Sequence, residues 1–320
     1  MKWILFTTLL ATITGLLGWG GHTGYINDTE NRMQSPGNVK LIKNMDNSRN
    51  LPPSFRLTTS AYQRHIGPTP TRKGLNKLNA SASGQFSKRG LKSILKLIPA
   101  DDVMILDLRR ETHGFLDGSA VSWYGYRNYE NVNKTPSEIE TIQNERLIQA
   151  KTVGNVRIFD DKIAAKPRPL HVNKTFSEKD LADHYDLRYV RFYVTDHHRP
   201  DDATVDQFIE LVRQLPEDMW IHFHCAGGKG RATTFITMYD MIRNSRDVSI
   251  EDIIRRQHLL GGSDLYQIRR ALIWKNEPAT ERLDFVKRFY EYTKANPNLE
   301  MSWSEFIKLE LPKTQASVTL

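Results

Sequence analysis

The chain has one cysteine, Cys225, and it lies in the run WIHFHCAGGKGRATTF at 220–235. Apolar residues from Trp220 to His224 suit a strand and Thr233 to Ile242 suits a helix, so the glycine-rich stretch between them is a strand-to-helix turn. Gly227, Gly228 and Gly230 let the backbone curl so that successive amides, starting from Ala226, point inward as an anion-binding nest. The helix that follows adds the positive end of its dipole, and Arg231 offers a planar fork for two phosphate oxygens. The same charges favour the thiolate of Cys225. A thiolate beside a phosphate cradle is arranged for nucleophilic phosphoryl transfer. An inert buried cysteine near a turn is the commoner arrangement. However, His224 before the cysteine, two fixed glycines and a fixed arginine coincide by chance only about once in 10^5 positions.

Cysteine-based cleavage of a phosphomonoester also needs an acid for the leaving oxygen and then a base for water. Asp196 ends the strand-like stretch Tyr189–Thr195 and opens a loop, DHHRPDD, rich in His, Pro and Asp. By itself an Asp there reads as a turn or cap residue. Asp201 and Asp202 read as the start of a helix from Asp206 onward. Gln257 and His258 precede a Gly-Gly turn at a helix end. Arg110 and His113 follow the buried-looking strand Asp102–Leu108, where a basic side chain suits a peripheral phosphate. Lys229 lies inside the loop and faces either the substrate or the rim. His224 reads as a support for the loop through hydrogen bonds. Phe285, Phe289 and Tyr290, at helical spacing, read as core.

The elements that must hold these residues alternate. Helices are expected over Lys88–Ile98, Glu138–Lys151, Asp206–Gln214, Thr233–Ile242, Ile250–Leu259 and Glu281–Lys294, and strands over Asp102–Leu108, Arg157–Asp160, Tyr189–Thr195 and Trp220–His224. This order is that of an α/β protein. Of 320 residues, 39% are hydrophobic and 26% charged, a balance that buries a sizeable core and excludes a disordered chain or a multi-span membrane protein. A single cysteine excludes an internal disulfide framework and a cysteine-based zinc cluster. A net charge of +8 and a pI near 9.4 point to an anionic partner, but no nucleic-acid-binding motif is present, so nucleic acid is not expected. Residues 1–21 (Met1-Lys2, then an uncharged apolar stretch) read as a signal peptide of a secreted or periplasmic protein, with an uncleaved anchor as the alternative; no second apolar span follows. Residues 22–50 read as a polar linker, 51–311 as the catalytic domain and 312–320 as a tail.

The C-x5-R loop is the signature of the cysteine-dependent phosphatases, and HFHCAGGKGRATTF most resembles the loop of the protein-tyrosine-phosphatase-like phytases, the cysteine phytases that act on myo-inositol polyphosphates. TDHHRPDD at 195–202 resembles that family's general-acid loop. DLRRETHGFLDG at 107–118, RQHLLGG at 256–262 and GQFS at 84–87 resemble its sequences too, over about Leu51 to Leu311. The resemblance implies a tyrosine-phosphatase-like α/β fold, with a central sheet flanked by helices and a smaller, partial β-barrel subdomain within 119–188. It implies hydrolysis of inositol polyphosphates such as phytate through a cysteinyl-phosphate, without metal or other cofactor. Asp196 matches the general acid, Gln257 the residue that positions the hydrolytic water, and His197 and Lys275 substrate-contacting positions. The family places Ser or Thr after the arginine; here Ala232 stands there, so breakdown of the phosphoenzyme should be slowed unless Thr233 takes over that role. Two alternatives therefore stay open, a protein-tyrosine phosphatase and a phosphate-binding module with impaired turnover.

Overall fold

The computed structural model describes residues 39–216 and 218–316; the leader expected at 1–21 and the tail expected at 312–320 lie wholly or partly outside them. Among the described residues no helix is long and apolar enough to cross a membrane.

Five strands form the central sheet: β2 (Arg56–Leu57), β3 (Ala80–Ser83), β4 (Val103–Asp107), β10 (Arg188–Arg191) and β11 (Trp220–His224). Their order is β10-β4-β11-β3-β2, parallel throughout except for the antiparallel β2 at the edge. Every residue of β3, β4 and β11 is buried, because both faces of the sheet are covered. The period of two sorts their side chains cleanly. Met104, Leu106, Ile221 and Phe223 join one core with residues of α4 (Asp202–Gln214), α5 (Gly230–Asn244), α6 (Ile250–Leu259) and α7 (Asn276–Ala295). Val103, Ile105 and Trp220 face the opposite core, with Leu91 and Ile94 of α1 (Lys88–Leu95) and Leu181 of α3 (Glu178–His184). Phe285, Phe289 and Tyr290 are core residues, as their spacing implies. The helix α8 (Trp303–Ala316) packs Trp303 against Phe285 and Phe289.

A second, antiparallel sheet has the order β1-β6-β5-β9, formed by Lys40–Met45, Ser119–Tyr124, His113–Leu116 and Thr175–Phe176. It packs on α2 (Pro136–Val153), and a hairpin of β7 (Asn155–Ile158) and β8 (Arg168–His171) lies beside it. Two of its strands fall outside 119–188. The segment 40–45, read from composition as linker, is an edge strand whose half-buried Leu41 packs on the small core and whose Ile42 is its one buried residue, and its polar Lys40, Lys43 and Asn44 conceal it in the sequence. Several helices are longer than their apolar spacing implies, because caps extend them. Thr135 and Glu138 form a capping box under Pro136, and Asp201 accepts from the Thr204 amide at 2.8 Å, so that α4 starts at Asp202 rather than Asp206.

Candidate active site

Register places Ser83, His224 and Asp107 side by side at the carboxyl ends of β3, β11 and β4, and Cys225 follows directly, 3% exposed. This is the end of a parallel sheet at which ligands bind. The loop from Cys225 to Arg231 is held from behind through its carbonyls. Ala226 O accepts from the Gln85 amide at 3.1 Å, Gly227 O from Ser54 Oγ at 3.2 Å, and Gly228 O from Arg56 Nη1 at 2.9 Å. Gly228 has φ 69°, and a Cβ there would lie 2.3 Å from Gly84 N, so glycine is required on both grounds. A Cβ on Gly84 would in turn lie 3.1 Å from both Ala226 O and Gly227 C, tighter than an ordinary contact.

A pocket of about 320 Å³ opens over this loop, lined by Cys225, Ala226, Gly227, Lys229 and Gly230 together with Asp196 and His197. Five cations reach it from five segments: Lys162 from the β7–β8 connection, Lys229, Arg270, Lys275 and Arg282 of α7. Lys229 Nζ donates to Gly261 O at 2.8 Å, which sets it at the rim. Burial lowers the pKa of both Lys229 and Lys275, with the neighbouring cations Arg56 and Lys162 respectively acting in the same sense. Arg270 lies in irregular chain between α6 and α7.

Arg231 is buried and grips Glu111 with both ends of its fork, Nη1 to Oε2 at 2.6 Å and Nη2 to Oε1 at 2.8 Å. Nη1 also donates to Leu108 O and Val194 O, each at 3.1 Å. Burial opposes ionisation of Glu111, but Arg231 and Arg109 outweigh it and hold the carboxyl well below the usual range. The Nε of Arg231 has no partner among the described residues. Arg231 Nη2 lies 3.1 Å from Asp196 Oδ1, and Asn128 Nδ2 donates to Asp196 Oδ2 at 3.1 Å. Burial alone would raise the Asp196 carboxyl; Arg231 reverses this, with help from His197 and Asn128, so the group is an ordinary carboxylate held below its normal range.

His197 has φ 69°, and its amide donates to Asp196 Oδ1 at 3.0 Å, while its carbonyl accepts from Arg282 Nη2. Its ring meets Trp274 edge-on at 4.9 Å, and burial pushes the imidazole down to about 4. Trp274 also carries Arg127 at 4.3 Å and Lys275 at 5.1 Å from its ring, so one indole is in contact with two of the lining side chains, His197 and Lys275. Burial pushes both Arg56 and Arg282 down to about 10, against the attraction of Cys225 and Asp196.

Beneath the loop, His224 Nε2 approaches Glu178 Oε1 at 2.5 Å, and Glu178 Oε2 accepts from Gln85 Nε2 at 2.8 Å. Asp107, Glu178 and His224 group closely enough to suggest a metal site, but Asp107 is already spent on the Arg109 amide, the Tyr189 hydroxyl and Arg191. The cluster is a buried polar floor, in which His224 Nδ1 and Nε2 and Glu178 Oε1 make no hydrogen bond among the described residues. His222, the next residue facing this way, joins Ser81 at 2.8 Å and Ser83 at 3.0 Å.

Four sequence expectations are displaced by this geometry. Arg110 does not line the pocket; its guanidinium donates to the carbonyls of Asn131, Tyr193 and Lys134 and fastens the Asn131–Lys134 turn. His113 starts β5 facing inward, with Nε2 3.2 Å from Asp107, because its side chain belongs to the buried face of that strand. Gln257 is fully buried and donates to Asp240 Oδ2 at 2.8 Å, away from the pocket lining. Thr233 Oγ1 accepts from Arg56 Nη2 and the Ser263 amide, at 3.1 and 3.0 Å, and among the described residues makes no hydrogen bond to Cys225, the contact expected of the hydroxyl missing at Ala232. Five side chains that line or brace the pocket are not indicated by the sequence reading: Arg56, Glu111, Asn128, Lys162 and Arg282. Only Arg282 left a usable signal, an arginine three and seven residues before Phe285 and Phe289 on the buried face of a helix.

The family model for PTP-like phytases, described by the words inositol hexakisphosphate, matches residues 106–243. The PTP-like myo-inositol phosphatase of Mitsuokella multacida, solved in complex with myo-inositol-(1,3,4,5)-tetrakisphosphate, is 35% identical with a TM-score of 0.80, over 88% of this chain and 48% of that one. The effector protein hopD2 of Pseudomonas syringae pv. tomato is 24% identical over 262 residues, 79% of this chain and 56% of its own. The chain thus spans about half the length of these two relatives. A PTP-like phytase from Bdellovibrio bacteriovorus matches more completely: 33% identity, a TM-score of 0.68, and coverage of 84% of this chain and 94% of that one. With a thiol, an arginine fork and a carboxylate assembled around one cationic pocket on that shared fold, the chain belongs to the protein-tyrosine-phosphatase-like phytase family.

Proposed function

We propose that the chain hydrolyses phosphomonoesters of myo-inositol polyphosphates, phytate among them, through a cysteinyl-phosphate and with its own cations in place of a metal. Cys225 as thiolate attacks phosphorus; a P–S bond forms, the P–O bond to the ring breaks, and the departing inositol oxygen takes a proton from Asp196. Water then attacks the phosphoenzyme, gives its proton to the Asp196 carboxylate, and the P–S electron pair returns to Cys225 as orthophosphate leaves. Arg231 stays fixed by Glu111 throughout, and its free Nε is available to phosphate oxygens. In the free protein Arg231 holds Asp196 as a carboxylate. A phosphate that takes over this side of the fork releases Asp196 to bind the proton it must deliver.

The observation that carries the substrate class is the convergence of Lys162, Lys229, Arg270, Lys275 and Arg282 around a single thiol. One phosphate is served by the loop and Arg231 alone; five further cations suit a ring bearing several. The Mitsuokella relative, solved with an inositol tetrakisphosphate, supports the same reading. Orthophosphate release from phytate by the wild type, absent from Cys225→Ser, tests it. Cleavage of phosphotyrosyl peptides far faster than phytate would overturn the substrate class and leave the thiol chemistry standing.

A further inference from the structure

A second cationic pocket, of about 510 Å³, shares no lining residue with the one over Cys225. It lies against α1, which packs on the sheet face opposite α5 and α7. Six basic side chains from three separate segments line it: Arg49 after β1, then Lys88, Arg89, Lys92 and Lys96 along and just past α1, and Lys174 before β9. Among the described residues none of the six forms an ion pair, whereas surface cations elsewhere, such as Lys43, Lys73, Lys179 and Arg213, do. The one acid in the lining, Asp117, has its carboxylate committed to the amides of Asn173 and Lys174. Lys88, Lys92 and Lys96 repeat at four-residue spacing, where like charges destabilise a helix. Folding does not need this arrangement: α1 is fixed by Leu91 and Ile94 on its other face and by the Ser87 cap. Phe176 supplies an apolar wall, with Lys88 Nζ 5.8 Å from its ring.

We infer that this pocket is a second binding site, non-catalytic, for a compact cluster of phosphomonoesters such as a polyphosphorylated inositol ring, free or as a lipid headgroup. A concave site ringed by cations from three directions fits a small, densely charged anion better than an extended one. No cysteine and no carboxylate free to act as an acid adjoins it, so the bound ligand is not turned over there.

The test uses the full chain carrying Cys225→Ser, titrated calorimetrically with myo-inositol hexakisphosphate, against the same chain with Arg89→Gln, Lys92→Gln and Lys96→Gln added. All three positions are exposed and Gln is a good helix former, so folding is preserved, as circular dichroism would verify. The triple change should remove one binding event, weakening it about 100-fold near 0.1 M salt at roughly 1 kcal/mol per charge. On the Cys225 background it should leave hydrolysis of p-nitrophenyl phosphate within about twofold of the wild type. An unchanged number of binding events in the triple variant would overturn the inference. If the reading of the catalytic pocket were wrong, the Cys225→Ser protein would show one event and the triple variant none, which separates the two failures. Recruitment to vesicles carrying phosphatidylinositol bisphosphate, beyond vesicles of equal phosphatidylserine charge, would assign the phosphates to a lipid; binding of free hexakisphosphate alone would assign a soluble ligand. A DNA duplex that binds through these residues where hexakisphosphate does not would refute it.

Discussion

Replacing Asp196 by Asn should have two opposite effects, and together they test the pairing with Arg231. The carboxylate sits 3.1 Å from Arg231 Nη2 and competes with phosphate for that side of the fork. Hydrogen bonds to charged groups contribute about 1.5–3 kcal/mol, and since the Asp196 side chain is 23% exposed the lower end applies. Removing a competitor of about 1.5 kcal/mol should tighten binding of inorganic phosphate roughly tenfold. The same change removes the proton donor, so kcat on phytate should fall by about 10^2–10^4. On p-nitrophenyl phosphate, whose leaving group departs without a proton, the loss should be at least about tenfold smaller. The assays are competitive inhibition by phosphate and steady-state turnover of both substrates. Unchanged or weaker phosphate inhibition, combined with equal losses on both substrates, would refute both the competition and the acid role.

Other expectations are as direct. Burial pushes His222 down to about 3, well under its unfolded value near 6.5, so the unfolded chain binds the extra proton; stability should fall as pH drops below about 6.5, by roughly 1.4 kcal/mol per pH unit, and His222→Gln should flatten the urea midpoint against pH by about one proton. Gly228→Ala should abolish activity and lower the urea midpoint, since it adds left-handed strain of about 1–2 kcal/mol and a contact with Gly84 N that neither backbone can relieve. With no hydroxyl after Arg231, rapid mixing with p-nitrophenyl phosphate should give a burst of phenolate, and Ala232→Ser should shrink it by speeding breakdown of the phosphoenzyme; equal bursts would show that the missing hydroxyl is immaterial.

The Cys225–Arg231 loop was legible because its chemistry is contiguous: a strand end, a thiol, three glycines and an arginine follow one another, and a helix starts at their end. Asp196 was legible only through resemblance, since an Asp in a polar loop reads equally well as a cap. Glu111, Arg56 and Asn128 were not legible, as each is drawn in from a distant segment, and a charged or amide side chain alone carries no sign that a partner will bury it. Arg110 and His113 misled for the complementary reason. They sit at a strand end near the site, but the turn of the chain after β4 gives the site Glu111 and sends its two basic neighbours into a turn and the polar floor. Likewise β1 resembled linker because an edge strand with one half-covered face needs few apolar residues.

The contact of Gly228 with Gly84 makes the anion site a product of the assembled sheet. A fragment holding only β11, the loop and α5 would lack the strand end that closes the curl from behind. Ligand binding and the pairing of β3 with β11 are therefore linked equilibria: a phosphate-like ligand at 100 times its Kd should add about 2.7 kcal/mol to global stability. Amide exchange should slow along both strands, well beyond the residues the ligand touches.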